Sequence, residues 1–235
     1  MSEIFLKLRI KEMLKGKMKR YLVFGIVEIF LVVAGILIAL SVNSWATKKS
    51  QRNDELKIYE TILSRIQEDS RVVRSSIEYN NSLLEQFKIA DRIITENSRS
   101  GLDTLVQIVP ELFSYSDNSM SSNIYQNLLN SGDLKILENT EITSRLQGLE
   151  ETYIYMNRME DLHLQAIMNI YSPAIINSMD LSRNKAPNPE LLYSFQFQNL
   201  IFTSIGIMEE KDEIYQRALR QADSIMDLIK DEFEK

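Results

Sequence analysis

Glu160 and His163 stand three residues apart in the run Glu160-Asp161-Leu162-His163, a spacing that puts a carboxylate and an imidazole on one face of a helix. Di-iron helical bundles need two such steps and two further glutamates, and His163 is the only histidine in the chain. One chain therefore lacks the ligands, and His163 is expected to be a packed or surface residue. Glu209, Glu210, Asp212 and Glu213 form an acidic run suited by charge to a divalent cation. The run lacks the Asp-x-Asp-x-Asp-Gly loop of a calcium site and reads as a solvated helix face. The chain has no cysteine, which removes disulfides, thiol catalysis and cysteine-ligated metals. No glycine-rich phosphate loop or G-x-S-x-G elbow is present. The expectation is a protein that is not an enzyme, with no cofactor and no metal.

One further titratable residue is out of place. Glu28 is the only charge in residues 21–42, which read YLVFGIVEIFLVVAGILIALSV. As a helix these residues span roughly 33 Å, enough for a hydrocarbon core of ~30 Å. Arg20 and Tyr21 mark one interface and Trp45 the other, with Lys48 and Lys49 just beyond. Residues 1–20 hold seven Lys/Arg against Glu3 and Glu12, a balance of +5, whereas residues 46–235 hold 20 basic and 30 acidic residues, a balance of −10. By the positive-inside rule the N-terminus is cytoplasmic. The acidic remainder argues against nucleic acid as a partner.

The apolar segments admit two rival readings. Ser44-Trp45-Ala46 loosely fits a signal-peptide cleavage site, but the apolar region exceeds the usual 7–15 residues, so an uncleaved anchor is favoured. Residues 191–208 also lack charge, yet Gln196, Gln198 and Asn199 interrupt them, which favours a core helix over a second span. Within the anchor, Gly25, Glu28, Val32, Gly35, Ala39 and Val42 or Asn43 share one helical face. Gly35-xxx-Ala39 is a small-xxx-small pair that admits a second backbone. Gly25, Glu28, Gly35, Ala39 and Asn43 are thus the candidate packing or partner contacts. Glu28 either helps pack a homo-oligomer or meets an envelope partner as a proton-handling or contact group.

The stretch YLVFGIVEIFLVVAGILIALSVNSW resembles the opening of an uncharacterised family of Gram-negative envelope proteins, a domain of unknown function. The matching positions are Tyr21, Leu22, Glu28, Ile29, Val32, Val33, residues 35–40, Asn43 and Trp45. Val27 replaces the family's usual glycine, Ser41 its frequent glutamine, and Ala46-Thr47 a common Asn-Glu pair. Residues 131–139, SGDLKILEN, are similar to the family's Ser-Gly-x-Leu-x-x-Ile segment. Together these cover about a fifth of the chain. The resemblance implies an inner-membrane protein with a periplasmic outer domain, and it implies no activity.

The remainder is poor in turn residues, with 7 Gly and 4 Pro in all, and reads as all-α. Residues 48–96 form one long helix that continues from the anchor. Its stripe Leu56, Tyr59, Leu63, Ile66, Val73, Ile77, Leu84 and Phe87 is interrupted by Ser70 and Asn80. The stripe needs partner helices from this chain or from another copy. A turn at 97–101 leads to a short helix over 103–113 with Pro110 near its end. A polar loop at 114–121 precedes a helix that Ser121 or Ser122 caps and Gly132 stops. Asn139 or Thr140 caps the next helix, to about Tyr171 before Ser172-Pro173. After the loop at 180–189, residues 190–233 form one helix or two. The pattern predicts a single transmembrane helix (21–45) after a basic N-terminus (1–20), then a periplasmic up-and-down bundle (46–235). Gly132, Leu134, Ile136 and Asn139 mark a candidate interaction segment, although leucines and Ile136 plugging the bundle explain it as well. Tyr125, Tyr153 and Tyr155 either line a small pocket or join the core. The leading expectation is an anchored interaction or scaffold protein; the alternative is a ligand-sensing module that signals through a membrane partner.

Overall fold

The computed structural model describes residues 2–116, 120 and 123–235, with side chains from residue 22 onward. Arg20, Tyr21, the basic residues of 1–20 and the caps Ser121 and Ser122 lie outside the described side chains. The described chain is helical, without a strand; only an isolated bridge joins Asp180 to Lys185. Its first helix, α1, runs Ser2–Thr95. The chain divides into two compact units, residues 1–54 and 55–235.

The first unit is helix alone. Every large apolar side chain from Leu22 to Val42 is exposed, Phe30 reaching 70%. Two of its hydroxyls are satisfied within the helix: Ser41 donates to the Leu37 carbonyl at 2.8 Å and Thr47 to that of Asn43 at 3.0 Å. Trp45 is exposed, with the Lys49 ammonium 5.3 Å from its ring centre.

The second unit is built from four columns. Residues 55–95 of α1 rise. The chain then descends through α2 (Leu102–Ile108), a 3-10 turn (Val109–Phe113) and α3 (Ile124–Ser131). It rises again in α4 (Thr140–Ala166), a π-helical turn (Ile167–Tyr171) and α5 (Ser172–Ser178), and descends in α6 (Phe195–Phe233). Contacts across the columns establish these directions. Glu55 meets the Glu138 amide and Asn139 meets Glu232 at the lower end. Asn80 meets Met208 midway, and Gln198 meets Thr95 at the upper end.

Two apolar cores stack along the columns. The lower one joins Tyr59, Ile62, Ile66 and Val73 of α1 to Leu128, to Leu146 and Tyr153 of α4, and to Ala218 and Ile225 of α6. The upper one joins Phe87 and Ala90 to Leu105, Leu112, Tyr171, Ile175, Phe197 and Ile201. The stripe on α1 is therefore covered by later helices of the same chain. Its polar interruptions are buried with it, Ser70 at 5% exposure and Asn80 at 2%, and the Asn80 amide donates to the Met208 carbonyl at 2.8 Å. Leu56, Leu63 and Ile77 sit at the edges, partly buried.

Local chemistry explains the ends of the elements. Gly132 terminates α3 with φ +84°, a left-handed conformation that favours glycine. The Asn139 side chain accepts from the amides of Glu141 (3.0 Å) and Ile142 (3.3 Å), capping α4. Gly101 closes the turn after α1, because a Cβ there would lie 2.9 Å from two Ile93 side-chain carbons.

Two expectations change, and one open alternative is resolved. The helix begun at Thr140 does not break at Ser172-Pro173. The π-helical turn just before them widens the backbone, and Pro173 sits in the first turn of α5, where no amide hydrogen is needed. Of the three apolar residues meant to plug the bundle, Leu137 is buried and Leu134 partly so, but Ile136 is exposed. The 3-10 turn Asp133–Lys135 brings Leu134 and Leu137 to one side and leaves Ile136 on the other. Residues 190–233 give a short 3-10 turn, Pro189–Leu191, and then one 39-residue helix capped by Ser194, whose hydroxyl accepts from the Phe197 amide. Phe197, Ile201, Ser204 and Met208 are buried, so residues 191–208 contribute to the core.

Asn139 both caps α4 and donates to Glu232 at 2.7 Å. Asn139→Ala is expected to cost about 1–2 kcal/mol in urea unfolding of the full chain. Asn139→Asp should cost at least as much, although Asp caps as well as Asn, because it sets a second carboxylate against Glu232.

Candidate functional site

Between the two apolar cores lies a polar layer. α4 supplies Glu160 and His163, α6 supplies Lys211 and Tyr215, and the descending column supplies Ser116; none exceeds 8% exposure. The Lys211 ammonium donates to Glu160 Oε2 at 2.9 Å. It also lies 3.4 Å from Ser116 Oγ and 3.5 Å from His163 Nδ1. Ser116 donates to Glu160 Oε2 at 3.1 Å, and Tyr215 donates its hydroxyl to Glu160 Oε1. The Tyr115 ring tilts toward the imidazole, ring centres 6.2 Å apart.

The three-residue step from Glu160 to His163 does place both side chains on one buried face, and an ammonium occupies the space between them. Lys211 belongs to the acidic run. Glu209 and Glu213 on either side are solvated, while Lys211 turns inward on the face that also carries Met208 and Tyr215. Its part was not visible in sequence, where a lysine among four acids reads as surface. The available signal was its three-four spacing from Met208 and Tyr215 on the apolar stripe of α6.

The electrostatics follow from burial. Burial, and then the Lys211 charge, lowers the His163 pKa to about 4, so the ring is neutral at pH 7 with Nδ1 as acceptor. Burial also pulls Lys211 below the ordinary lysine value, with Glu160 opposing that pull. Burial and the Glu160 carboxylate push the Tyr215 phenol up, so it remains a donor. Each ammonium hydrogen has a protein acceptor nearby. The arrangement clamps three columns at one height, its polar groups engaged with one another. Among the described residues no three His, Asp or Glu side chains converge as metal ligands.

The candidate interaction segment is tied down separately. Glu55 Oε1 accepts from the Tyr59 hydroxyl at 3.0 Å and the Glu138 amide at 2.7 Å. Glu232 Oε1 accepts from Asn139 and from Lys235 at 2.6 Å. Asn139 and Gly132 thus shape the turn into α4, with Leu134 packed beneath. Tyr153 is buried in the lower core, Tyr125 is partly buried, and Tyr155 is exposed with its hydroxyl 3.2 Å from Glu210. In the first unit a Cβ added at Gly25 or Gly35 would meet no atom within 4 Å, and Glu28, Ala39 and Asn43 are exposed on the helix.

No protein-family model, no curated protein and no solved structure matches the chain.

Lys211→Met leaves Glu160 buried without its cation and is expected to destabilise the chain by about 3–5 kcal/mol. Glu160→Met added to it should restore much of that loss; denaturant unfolding of the two single variants and the double variant measures the coupling. The depressed His163 pKa makes the folded chain bind fewer protons than the unfolded chain below pH 6.5. Stability is therefore full above pH 6.5 and falls as the pH drops toward 4, by about 3 kcal/mol from this group. His163→Phe should flatten that part of a stability–pH curve.

Proposed function

We propose that the chain is a non-enzymatic scaffold held in a bacterial inner membrane by residues 21–45, with a cytoplasmic N-terminus and a periplasmic helical unit. The observation that carries this reading is the set of large apolar side chains from Leu22 to Val42, all exposed, on the one helix among the described residues long and apolar enough to cross a membrane. A run of this length exposed to water is unfavourable at about 25 cal/mol per Å², and lipid relieves it. The basic excess of residues 1–20, the exposed Trp45 and the resemblance to an envelope family support the orientation.

The scaffold role rests on the anchor's polar face. Glu28 has no side-chain partner among the described residues, and no basic residue lies within 21–45 to pair with it. A carboxyl at that depth is stabilised by a hydrogen-bonding group on another helix. Gly25, Gly35 and Ala39 on the same face allow close approach, and Asn43 adds a hydrogen-bonding group. The partner is a second copy of this chain or an envelope protein.

Carbonate extraction should leave the full chain in the membrane fraction, and a reporter fused at the C-terminus should be active only outside the cytoplasm. A soluble mature protein beginning after Ala46 would overturn the anchor. Glu28→Gln should weaken co-purification of the partner or copy in mild detergent; unchanged, monomeric recovery of both forms counts against the scaffold.

A further inference from the structure

Most charged groups buried in the second unit find partners inside it, as the layers around Lys211 and Glu232 show. A groove between α1 and α3 is different. Its volume is about 540 Å³, within the usual range for small-molecule sites. Ile62 and Leu128 form an apolar floor, buried to 2% and 9% exposure. The polar lining includes one cation, Arg65, one anion, Asp133, the amides of Asn123 and Asn127, and the hydroxyls of Thr61 and Ser131.

These groups are incompletely used by the protein. Arg65 donates through Nη1 to the exposed Glu68 at 3.3 Å, and its Nε lies 3.8 Å from Asp69, too far for a hydrogen bond. Nη2 has no protein partner among the described residues. Asp133 Oδ2 accepts from the Ser131 hydroxyl at 2.7 Å, which leaves Oδ1 open. The side-chain amides of Asn123 and Asn127 make no hydrogen bond among the described residues. The two charges also lie apart along the groove. Asn123 and Asn127 belong to the start and middle of α3, whereas Asp133 follows its end, toward Glu138 and Glu55. Arg65 is ten residues above Glu55 on α1, about 15 Å of helical rise.

We propose that this groove binds a short peptide with free ends. Its carboxylate meets Arg65, its ammonium meets Asp133, its peptide group meets the asparagine amides, and an aliphatic side chain covers Ile62 and Leu128. A zwitterion matches a lining that offers the free Nη2 of Arg65 to a carboxylate and the open Oδ1 of Asp133 to an ammonium. A dianion would meet Asp133, and a polyamine would meet Arg65. An entirely apolar ligand would leave Asp133 desolvated without a cation and the free hydrogens of Arg65 Nη2 without an acceptor. The site takes up the ligand-binding alternative for the helical unit and does not depend on the membrane anchor, whose failure would be read in extraction and topology instead.

Calorimetric titration of the full chain in mild detergent with L-alanyl-L-leucine tests the proposal. N-acetyl-alanyl-leucine, which lacks the ammonium, and alanyl-leucine amide, which lacks the carboxylate, are the comparison ligands. The dipeptide should bind saturably, and each capped form should bind about tenfold more weakly, as expected for one charged hydrogen bond lost. Arg65→Gln should abolish discrimination against the amide and keep that against the acetylated form. Asp133→Asn should do the reverse. Both residues are solvent-accessible, and unchanged melting temperatures would verify that the variants fold. Absence of saturable binding, equal binding of the capped forms, or discrimination unchanged in both variants overturns the proposal.

Discussion

A lysine ammonium held against a glutamate in the middle of a helical bundle constrains everything around it. Burying Lys211 and Glu160 is costly for each alone, and the cost is offset only when both carry their hydrogen bonds at once. That requires α4 and α6 to face each other at one height, with Ser116 of the descending column reaching the same point. Apolar contacts tolerate sliding by a helical turn, since one leucine or isoleucine substitutes for another. A charged pair with Tyr215, Ser116 and His163 around it does not.

The layer also accounts for the two stacked cores. Val73 ends the lower apolar run on α1 and Leu83 begins the upper one, with Ser76 and Asn80 buried between them. Asn80 donates to the Met208 carbonyl, so α1 is fixed against α6 close to where Lys211 fixes α6 against α4. Of the polar interruptions in the α1 stripe, Asn80 is thus a hydrogen-bonding position, whereas the buried Ser70 hydroxyl has no partner among the described residues. Further ties close both ends: Glu55, Glu138, Asn139 and Glu232 below, and above them Arg99, which stacks 4.1 Å from the Tyr193 ring centre and pairs with Glu190 at 2.8 Å.

This distribution separates structure from recognition within the helical unit. The buried charges Lys211, Glu160, Glu55 and Glu232 are engaged by groups on neighbouring columns and hold the columns in register. Groups with spare hydrogen-bonding capacity lie at the groove between α1 and α3, where Arg65, Asp133 and two asparagines surround an apolar floor. In the first unit the same division holds on a smaller scale: Ser41 and Thr47 bond within their own helix, while Glu28 has no such partner among the described residues.

Much of this was written locally in the chain. The all-helical class follows from scarce Gly and Pro, the end of α3 from Gly132, the start of α4 from Asn139, and the apolar length of the first unit from an unbroken run with one charge. These features depend on neighbours within a few residues, which sequence displays directly. The partners of Glu160 and His163 lie 44 to 55 positions away, and only folding shows that an ammonium stands between them. The inward turn of Lys211, the outward turn of Ile136 and the passage of the helix through Pro173 were likewise decided by tertiary structure. Each depends on which face a neighbouring column covers or on how a backbone turn is widened, and neither is carried by residue type alone.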